Sequence, residues 1–540
     1  MSDTPQPYGE AVASFSQEAL ERATLQGSLD GGLNACVECC DRWARDGRVA
    51  LEFFAADGGR SAITYEALRR SAAQFANLLV ARGVRPGDVV AGLLSRTPDL
   101  LTVILGTWRA GAIYQPLFTA FGPSAIESRV TSEVGSRAKL IVTDVANAAK
   151  LQTVEDCPPA LVVGGQGDAA FAPALAAQSD VFAPVMLKGD DPFIVLFTSG
   201  TTGKPKGVRY PLRLLLPIAV YMRDAVDLRP DDSYWNVADP GWAYGMLYAV
   251  AGPLLLGATT TFYEGPFTFE STMRVIQERK LTNLAAAPTA YRLLMAAGDA
   301  AVAPIKGQIR VASSAGEPLN PEVIRWAERA LATPLCDHYG QTEVGMLICN
   351  HHALGQEVKP GAAGLPMRGF EVAILDDDLN IQPPDTPGVL AVNRAKSPLC
   401  VFSGYWKAES PALRGDWYLT GDTMQRDADG HLFFVGRRDD IITSAGYRIG
   451  PFDVESAVIE HPSVAEVAVV GKPDPQRTEI VKAFVVLKPG FVGSEALKEE
   501  IQQMVRKRLS THAYPREIAF VTTLPKTPSG KIQRFLLREG

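Results

Sequence analysis

The chain has 540 residues, 46% of them hydrophobic and 21% charged, an ordinary balance for a globular protein with room for more than one domain. A net charge of −7 disfavours a general nucleic-acid binder, which is usually basic, and no apolar run approaches the roughly 18 residues of a membrane span. No charged start followed by an apolar stretch opens the chain, so no secretory leader is expected, and seven scattered cysteines fit reduced thiols in the cytoplasm.

Residues 1–30 are mostly polar and read as a loosely attached tail. Leu33, Val37, Cys40 and Trp43 recur at helical spacing. The CxxC of Cys36 and Cys39, with Cys40 beside it, therefore reads as core packing before redox or metal chemistry. Tyr65 to Arg82 predicts a helix, Val89 to Leu94 a strand, Leu101 to Ala110 a helix and Lys139 to Asp144 a strand. Such alternation argues for parallel α/β layers. Phe193 to Leu196 is short and apolar enough to be a buried strand. It leads into Thr198-Ser199-Gly200-Thr201-Thr202-Gly203-Lys204-Pro205-Lys206. Glycines let backbone N–H groups curl toward an anion, while the hydroxyls and lysines add donors and positive charge. A polyphosphate suits that loop. Its glycine spacing fails the Walker A pattern, and Pro205 bars a helix from starting on Lys204. A Gly/Thr-rich surface turn is the bland alternative.

Further on, Asp239 to Gly245 (DPGWAYG) is a turn-rich segment, and Tyr291, Leu294 and Met295 have the spacing of ordinary helix core. A short strand, Ile309 to Ala312, precedes Ser313-Ser314-Ala315-Gly316-Glu317-Pro318, a turn placed where α/β sheets bind ligands. Next come His338-Tyr339-Gly340-Gln341-Thr342-Glu343 and Tyr418-Leu419-Thr420-Gly421-Asp422. Cys336, His338, Cys349, His351 and His352 are zinc-ligand types, but they straddle the first of these motifs. Asp427 to Gly430 predicts a hairpin turn and Leu432 to Val435 its returning strand. Gly436 to Ile449 is charged and turn-rich, as a domain boundary would be. The remainder alternates helix (Phe452 to Glu460), strands (Val464 to Val470, Ile480 to Leu487) and an amphipathic helix (Ser494 to Leu509). It closes on Pro525-Lys526-Thr527-Pro528-Ser529-Gly530-Lys531-Ile532, which sets a lysine on a Ser-Gly turn.

The Thr198–Lys206 stretch, the YGQTE of Tyr339 to Glu343 and the PKTxSGKI of Pro525 to Ile532, in that order, resemble the signature motifs of the adenylate-forming superfamily. From about Asn34 onward the chain resembles its acetyl-CoA synthetase and medium-chain acyl-CoA synthetase branch. The resemblance implies an α/β fold: a large N-terminal multi-layer α/β domain over 31–438 and a small mobile C-terminal α+β domain over 439–540, hinged at Asp439. It implies an acyl-CoA synthetase that converts ATP, a carboxylic acid and CoA into acyl-CoA, AMP and diphosphate through an acyl-adenylate.

By the same resemblance Thr198, Ser199, Gly200, Thr201, Thr202, Gly203, Lys204 and Lys206 hold the phosphates. Gly316, Glu317 and Pro318 pack on adenine, with His338, Tyr339, Gly340 and Gln341 completing the nucleotide site. Thr342 meets the α-phosphate and Glu343 supplies an oxygen ligand for Mg²⁺, a hard cation suited to carboxylate and phosphate. Asp422 accepts both ribose hydroxyls, as a carboxylate can; Arg437 binds ribose or phosphate, and Arg448 contacts ATP. Lys531 catalyses adenylation. Arg129, Ala445, Gly446 and Arg506 contact CoA, with Ala445 standing where a serine is common. Arg129 and Arg506 have a rival reading as solvated helix residues. Ile459, His461 and Val464 match a metal-binding segment supplied largely by backbone. Trp242, Ala243, Tyr244, Ala315 and Gly340 line the acyl pocket.

Acetyl-CoA synthetases place a tryptophan at the position of Gly340. Its loss should open space for several carbons at roughly 0.8 kcal/mol per buried methylene. The expected acid is longer than acetate: short, branched, aromatic or medium-chain. An aryl-CoA (benzoate-like) ligase, an acetyl-CoA synthetase, an enzyme passing the acyl group to a carrier-protein thiol, a luciferase-like oxidation, an inactive binding protein and a phosphate-loop ATPase are the alternatives. Partners are small molecules, with no nucleic acid and no membrane span, and the oligomeric state is open.

Overall fold

The computed structural model describes residues 5–198, 205–444, 447–510, 512–526 and 531–538, and for Arg448 the backbone alone. Two large sheets carry most of the chain. In the first, Ala160–Val163, Leu140–Asp144, Val89–Leu93, Ile113–Pro116 and Pro192–Thr198 run parallel in that spatial order, and Lys206–Pro211 adds an antiparallel edge. The inner strands Val89–Leu93 and Leu140–Asp144 are apolar and buried, as strands covered on both faces are. The Tyr65–Ala81 and Pro98–Arg109 helices pack on one another beside it.

In the second sheet Tyr234–Asn236, Asn283–Ala286, Val311–Ala315 and Leu335–Gln341 are parallel. The sheet continues antiparallel through Gly345–Cys349, Ala362–Pro366, Leu432–Arg437, Trp417–Arg426, Gly388–Asn393 and Val372–Leu375. Thr198, Ala315 and Gln341 all stand at carboxyl ends of parallel strands, the edge where such sheets hold ligands.

The last hundred residues build a unit with a core of its own. Thr478–Leu487 pairs antiparallel with Val464–Asp474 and parallel with Glu517–Phe520. The helices Pro451–Val458 and Glu495–Arg508 cover it, burying Val454, Val458, Ile501 and Val505. Ser494 caps the second helix, its Oγ accepting from Leu497 N at 3.2 Å.

Two expectations need correction. The polar N-terminal stretch is docked rather than loosely attached. Gln6–Pro7 pairs with Leu354–Gly355, Tyr8 Oη donates to Pro366 O at 2.7 Å, and the Tyr8 ring stacks on His351. The helices Tyr8–Ala13 and Gln17–Thr24 bury Ala11 and Leu20. Few apolar residues are needed when each is placed on the packed face of a short helix. The strand expected at Ile309 to Ala312 instead runs Val311–Ala315, so Ser313, Ser314 and Ala315 are sheet residues and the turn begins at Gly316. The cysteine cluster lies in the helix Ala35–Cys39 and its cap, wholly buried within the main core.

Two buried polar groups give measurable predictions. Asn34, with no exposed surface, accepts from Cys36 N at 2.9 Å and donates to Trp108 O at 2.8 Å and Val185 O at 2.7 Å. It caps a helix and ties it to two other segments. Asn34→Ala should lower stability by about 2–3 kcal/mol, read as a lower urea midpoint with an unchanged slope. Asp337 is the second. Burial pushes its carboxyl up to about 8 against hydrogen bonds from the backbone of Leu319 and His338. The native chain then holds a proton there that the unfolded chain has lost above pH 3.8, so this group removes stability as pH rises from about 4 to about 8. Asp337→Asn should gain on the parent across that window, by on the order of a few kcal/mol at its upper end. Urea titrations at pH 5 and pH 8 measure the difference.

Candidate active site

The phosphate-loop motif connects two antiparallel strands, with Thr198 directly opposite Lys206. Ser199 to Lys204 lie outside the described residues. At the base of the loop the Lys206 ammonium sits 4.9 Å from the centroid of the Tyr405 ring, a cation–π distance. The Tyr405 hydroxyl donates to Glu343 Oε1 at 2.7 Å, and Trp406 N donates to Gly207 O at 2.7 Å. The segment carrying Tyr405 and Trp406 thus sets the loop's lysine beside the expected Mg²⁺ ligand. Tyr210 Oη bonds the Thr342 carbonyl from below. Nothing in the local pattern around Tyr405 marked it.

Asp422 is the centre of the nucleotide motifs. It is 5% exposed. Tyr339 Oη and Gln341 Nε2 both donate to its Oδ2 at 2.6 Å, and Arg437 Nε stands 3.9 Å from Oδ1. Tyr418 Oη in turn donates to Gln341 Oε1 at 2.8 Å. Burial raises the Asp422 carboxyl. Arg437, the two hydrogen bonds and the charge of Lys531 act against it. Lys531 therefore lies within electrostatic reach of Asp422. A carboxylate has about four lone-pair positions, so Asp422 keeps capacity for further donors.

Gly316 adopts φ of 99° with open space around its α-carbon, a left-handed turn that favours glycine. Beside it Glu317 pairs with Arg292 at 3.1 Å. Within the C-terminal unit, on the other side of the seam, Arg534 makes a double hydrogen bond to buried Glu455, both at 2.9 Å. The Arg534 charge also feels Glu317, and that of Glu455 feels Arg292. Asn320 Nδ2 donates to Ser456 Oγ at 3.0 Å. Arg538 Nη2 reaches Asp440 Oδ1 at 2.5 Å and Asp439 O at 3.1 Å. The segment after Lys531 is therefore anchored to Glu455, Asp439 and Asp440 within the C-terminal unit, which meets the large unit through Asn320 with Ser456 and Arg325 with Glu460. Arg292 and Glu455 carried no signal in the sequence.

His338 does not offer its ring to a nucleotide. It is 2% exposed, Nδ1 pairs with Tyr221 Oη at 2.9 Å and Nε2 with Asn350 O at 3.0 Å. Strand alternation turns it to the face of its register partner Ala315, into the core. Burial holds it neutral. Gly340, expected to open the acyl pocket, lies close against the neighbouring strand. A Cβ there would meet Gly345 O at 2.4 Å, Met346 Cα at 2.8 Å and Met346 Sδ at 2.9 Å. The register shift between Tyr339 and Gly340 brings the neighbouring strand that close, so backbone and sulfur occupy the first part of the space a larger side chain would take. Trp242 packs on Phe118 and Phe121 at 5.3 and 5.4 Å between ring centroids. Ala243 and Tyr244 begin the short helix beside it.

Of the residues expected on CoA, Ala445 and Gly446 lie outside the described residues, as does the side chain of Arg448, expected on ATP. Arg129 is turned inward and not solvated: it is buried, its guanidinium lies 4.4 Å from the Phe121 ring centroid, and Nη1 donates to Ala125 O at 2.8 Å. Arg506 is exposed, 5.7 Å from the Tyr514 ring. His461 is buried, with Nδ1 2.8 Å from Ser463 Oγ.

Comparison with known proteins agrees with this arrangement. The model of the AMP-binding enzyme family matches residues 40–406, and that of the AMP-binding enzyme C-terminal domain matches residues 453–531. An acetyl-coenzyme A synthetase of Bacillus subtilis (strain 168) is 38% identical over 523 residues, covering 94% of this chain and 90% of that protein. The crystal structure of a Brucella canis acyl-CoA synthetase shares 55% identity and a TM-score of 0.81 over 99% of this chain and 98% of that one. That of an anthranilate CoA ligase with anthranoyl-AMP shares 28% identity and a TM-score of 0.85 over 94% and 97%. The chain belongs to the AMP-binding enzymes of the adenylate-forming superfamily, and within them to the AMP-forming acyl-CoA synthetases.

Proposed function

We propose that this acyl-CoA synthetase activates a carboxylic acid larger than acetate, in two half-reactions served by two orientations of its C-terminal unit. The orientation reading is supported by the charge of Lys531 reaching Asp422, the residue that would hold the ribose. A carboxylate is a poor acyl donor because oxide would have to leave. In the first half-reaction its oxygen attacks the α-phosphorus of ATP, and pyrophosphate departs. Crowded negative charge is the barrier. Lys531, Lys206, Thr342 and the loop from Thr198 supply positive charge and donors against it. Glu343 would hold Mg²⁺ together with phosphate oxygens; its carboxylate beside the loop base, with Tyr405 orienting one oxygen, fits that ion's preference for few protein ligands. Bound there, the ion would neutralise phosphate charge. Asp422 and Arg437 hold the ribose.

In the second half-reaction a CoA thiolate attacks the acyl-adenylate carbonyl and AMP leaves. Lys531 then has no task, and rotation about Asp439 would bring the Ala445–Gly446 turn to the site. Arg129 would have to swing from Phe121 to reach CoA, and exposed Arg506 is available as it stands. The acid's size is supported by Gly340 in place of an indole. The depth of the pocket passes to Met346 and Tyr244, since the first part of the vacated volume is filled. A reaction drawing on ATP and CoA also suits the cytoplasm.

Lys531→Ala should lose pyrophosphate–ATP exchange by two orders of magnitude or more and still convert pre-made acyl-AMP with CoA. Normal exchange would remove the assignment. Asp439→Pro should show the opposite split, keeping exchange while acyl-CoA formation falls at least tenfold; equal loss of both rates would refute the hinge. AMP release across a carboxylate panel, with and without CoA, tests the acid. The reading fails if acetate has the highest kcat/KM.

A further inference from the structure

On one face of the second sheet, register sets Asn236, Ala285 and Ser313 side by side on successive strands. Ala315 and its partner His338 follow on the same face. Strands lie about 4.8 Å apart, so Asn236 and Ser313 stand roughly 10 Å from one another with only a methyl between them. Both are buried. Neither Asn236 Nδ2 nor Ser313 Oγ has a partner at full hydrogen-bond geometry, although Asn236 lies near enough to the Tyr234 hydroxyl to act on it.

A layer of tyrosines covers this face, packed into the same core as Ala285 and Ala315. Tyr221 and Tyr248 lie 4.4 Å apart between ring centroids, Tyr244 and Tyr248 5.8 Å. Most of their hydroxyls are committed. Tyr221 Oη pairs with His338 Nδ1, Tyr234 Oη donates to Tyr248 O at 2.8 Å, and Tyr248 Oη accepts from Met346 N at 2.9 Å. Tyr244 differs: its Oη is buried and makes no hydrogen bond of full geometry, although the Tyr221 hydroxyl, already paired with His338, lies near enough to act on it. Tyr248 ties the layer to Met346, the register partner of Gly340. Tyr244 itself is acted on by Tyr291, whose hydroxyl bonds Ser313 O, and it belongs to the segment that Trp242, Ala243 and Tyr244 would offer to an acyl chain.

Leaving a buried polar atom unpaired costs about 1–3 kcal/mol, and interiors seldom tolerate it without a ligand or a water. Phenylalanine for Tyr244 and alanine for Ser313 would avoid that cost in an acyl pocket built for hydrocarbon alone. Asn236 Nδ2 can only donate, so the missing partner must include an acceptor. The surroundings are phenols, an amide, methyl groups, the Cys349 thiol and a neutral histidine, which would leave a second carboxylate desolvated and uncompensated.

We infer that the acid activated by this enzyme carries a neutral oxygen group, a hydroxyl or a ketone, remote from its carboxylate, and that Tyr244 with Asn236 or Ser313 binds that group. The inference rests on the acyl-CoA synthetase reading above and on the Trp242–Tyr244 segment as its acyl pocket. A site that hydrogen-bonds a substrate oxygen discriminates strongly against the analogue that lacks it, because its own polar groups are then stranded.

The test uses the full-length enzyme, AMP release with CoA, and matched acids: butanoate against 4-hydroxybutanoate, pentanoate against 4-oxopentanoate, and benzoate against 4-hydroxybenzoate. In at least one pair the oxygenated acid should have a kcat/KM tenfold or more higher. Tyr244→Phe should shrink that ratio at least tenfold, and the free variant should melt no lower than the parent. Ser313→Ala, which removes only an unpaired hydroxyl, should also reduce the ratio without lowering the melting temperature if Tyr244→Phe does not fold. Preference for the plain acid in every pair, or a ratio that neither variant moves, overturns the inference and assigns these atoms to ordered water. A lower melting temperature in both variants overturns it too, since the hydroxyls would then be bonded within the protein. AMP release with the plain acids and no oxygen preference leaves the ligase reading intact, whereas no AMP release with any acid removes both.

Discussion

A buried carboxylate organises this molecule. Asp422 sits in a setting that opposes its charge, and it is surrounded by Tyr339, Gln341, Arg437 and the reach of Lys531. Those groups come from different strands of the second sheet, from the edge of the hinge and from the C-terminal tip of the chain. Pairing a desolvated anion needs several partners at once, because each alone falls short of the loss of water. The nucleotide motifs therefore converge on one acid. The small unit can also take part in it only in an orientation that brings its lysine to that side.

A second layer of control lies at the seam. Arg534 is bound to Glu455 within the small unit, Arg292 to Glu317 within the large one, and the pairs face one another. Arg538 holds the same terminal helix to Asp440, next to the expected pivot. Lys531 thus stands on an arm whose C-terminal root, the helix Arg534–Arg538, is held to Asp440 beside the proposed pivot. Fixing the root of an arm lowers the entropy lost when its end reaches the site.

The motif-bearing part of the site was legible in the sequence because its chemistry is local. Gly-Thr runs, Tyr-Gly-Gln-Thr-Glu and the Ser-Gly-Lys turn each need their residue types in one stretch. The partners that aim those residues were not. Tyr405 orients Glu343, Arg292 holds Glu317 and Glu455 holds Arg534 through contacts between distant segments, and no spacing rule links them. His338 was misplaced for a different reason: a motif names neighbours in sequence, whereas alternation along a strand sends adjacent side chains to opposite faces. Gly340 shows the third kind of limit. A missing side chain reads as space, yet the adjoining strand has moved into part of it. The docked N-terminal stretch was missed because composition averages over the few apolar residues that do the packing.

The two seam pairs have one more consequence. Arg534 with Glu455, and Arg292 with Glu317, each keep cation and anion on the same body, so neither pair would leave an orphaned charge should the lobes part. Between these two pairs the attraction is one of paired dipoles, weaker and shorter in range than that of the direct ion pair between Arg325 and Glu460, 3.2 Å across the seam. Such a join would favour the present arrangement without locking it, as the proposed rotation of the C-terminal unit requires.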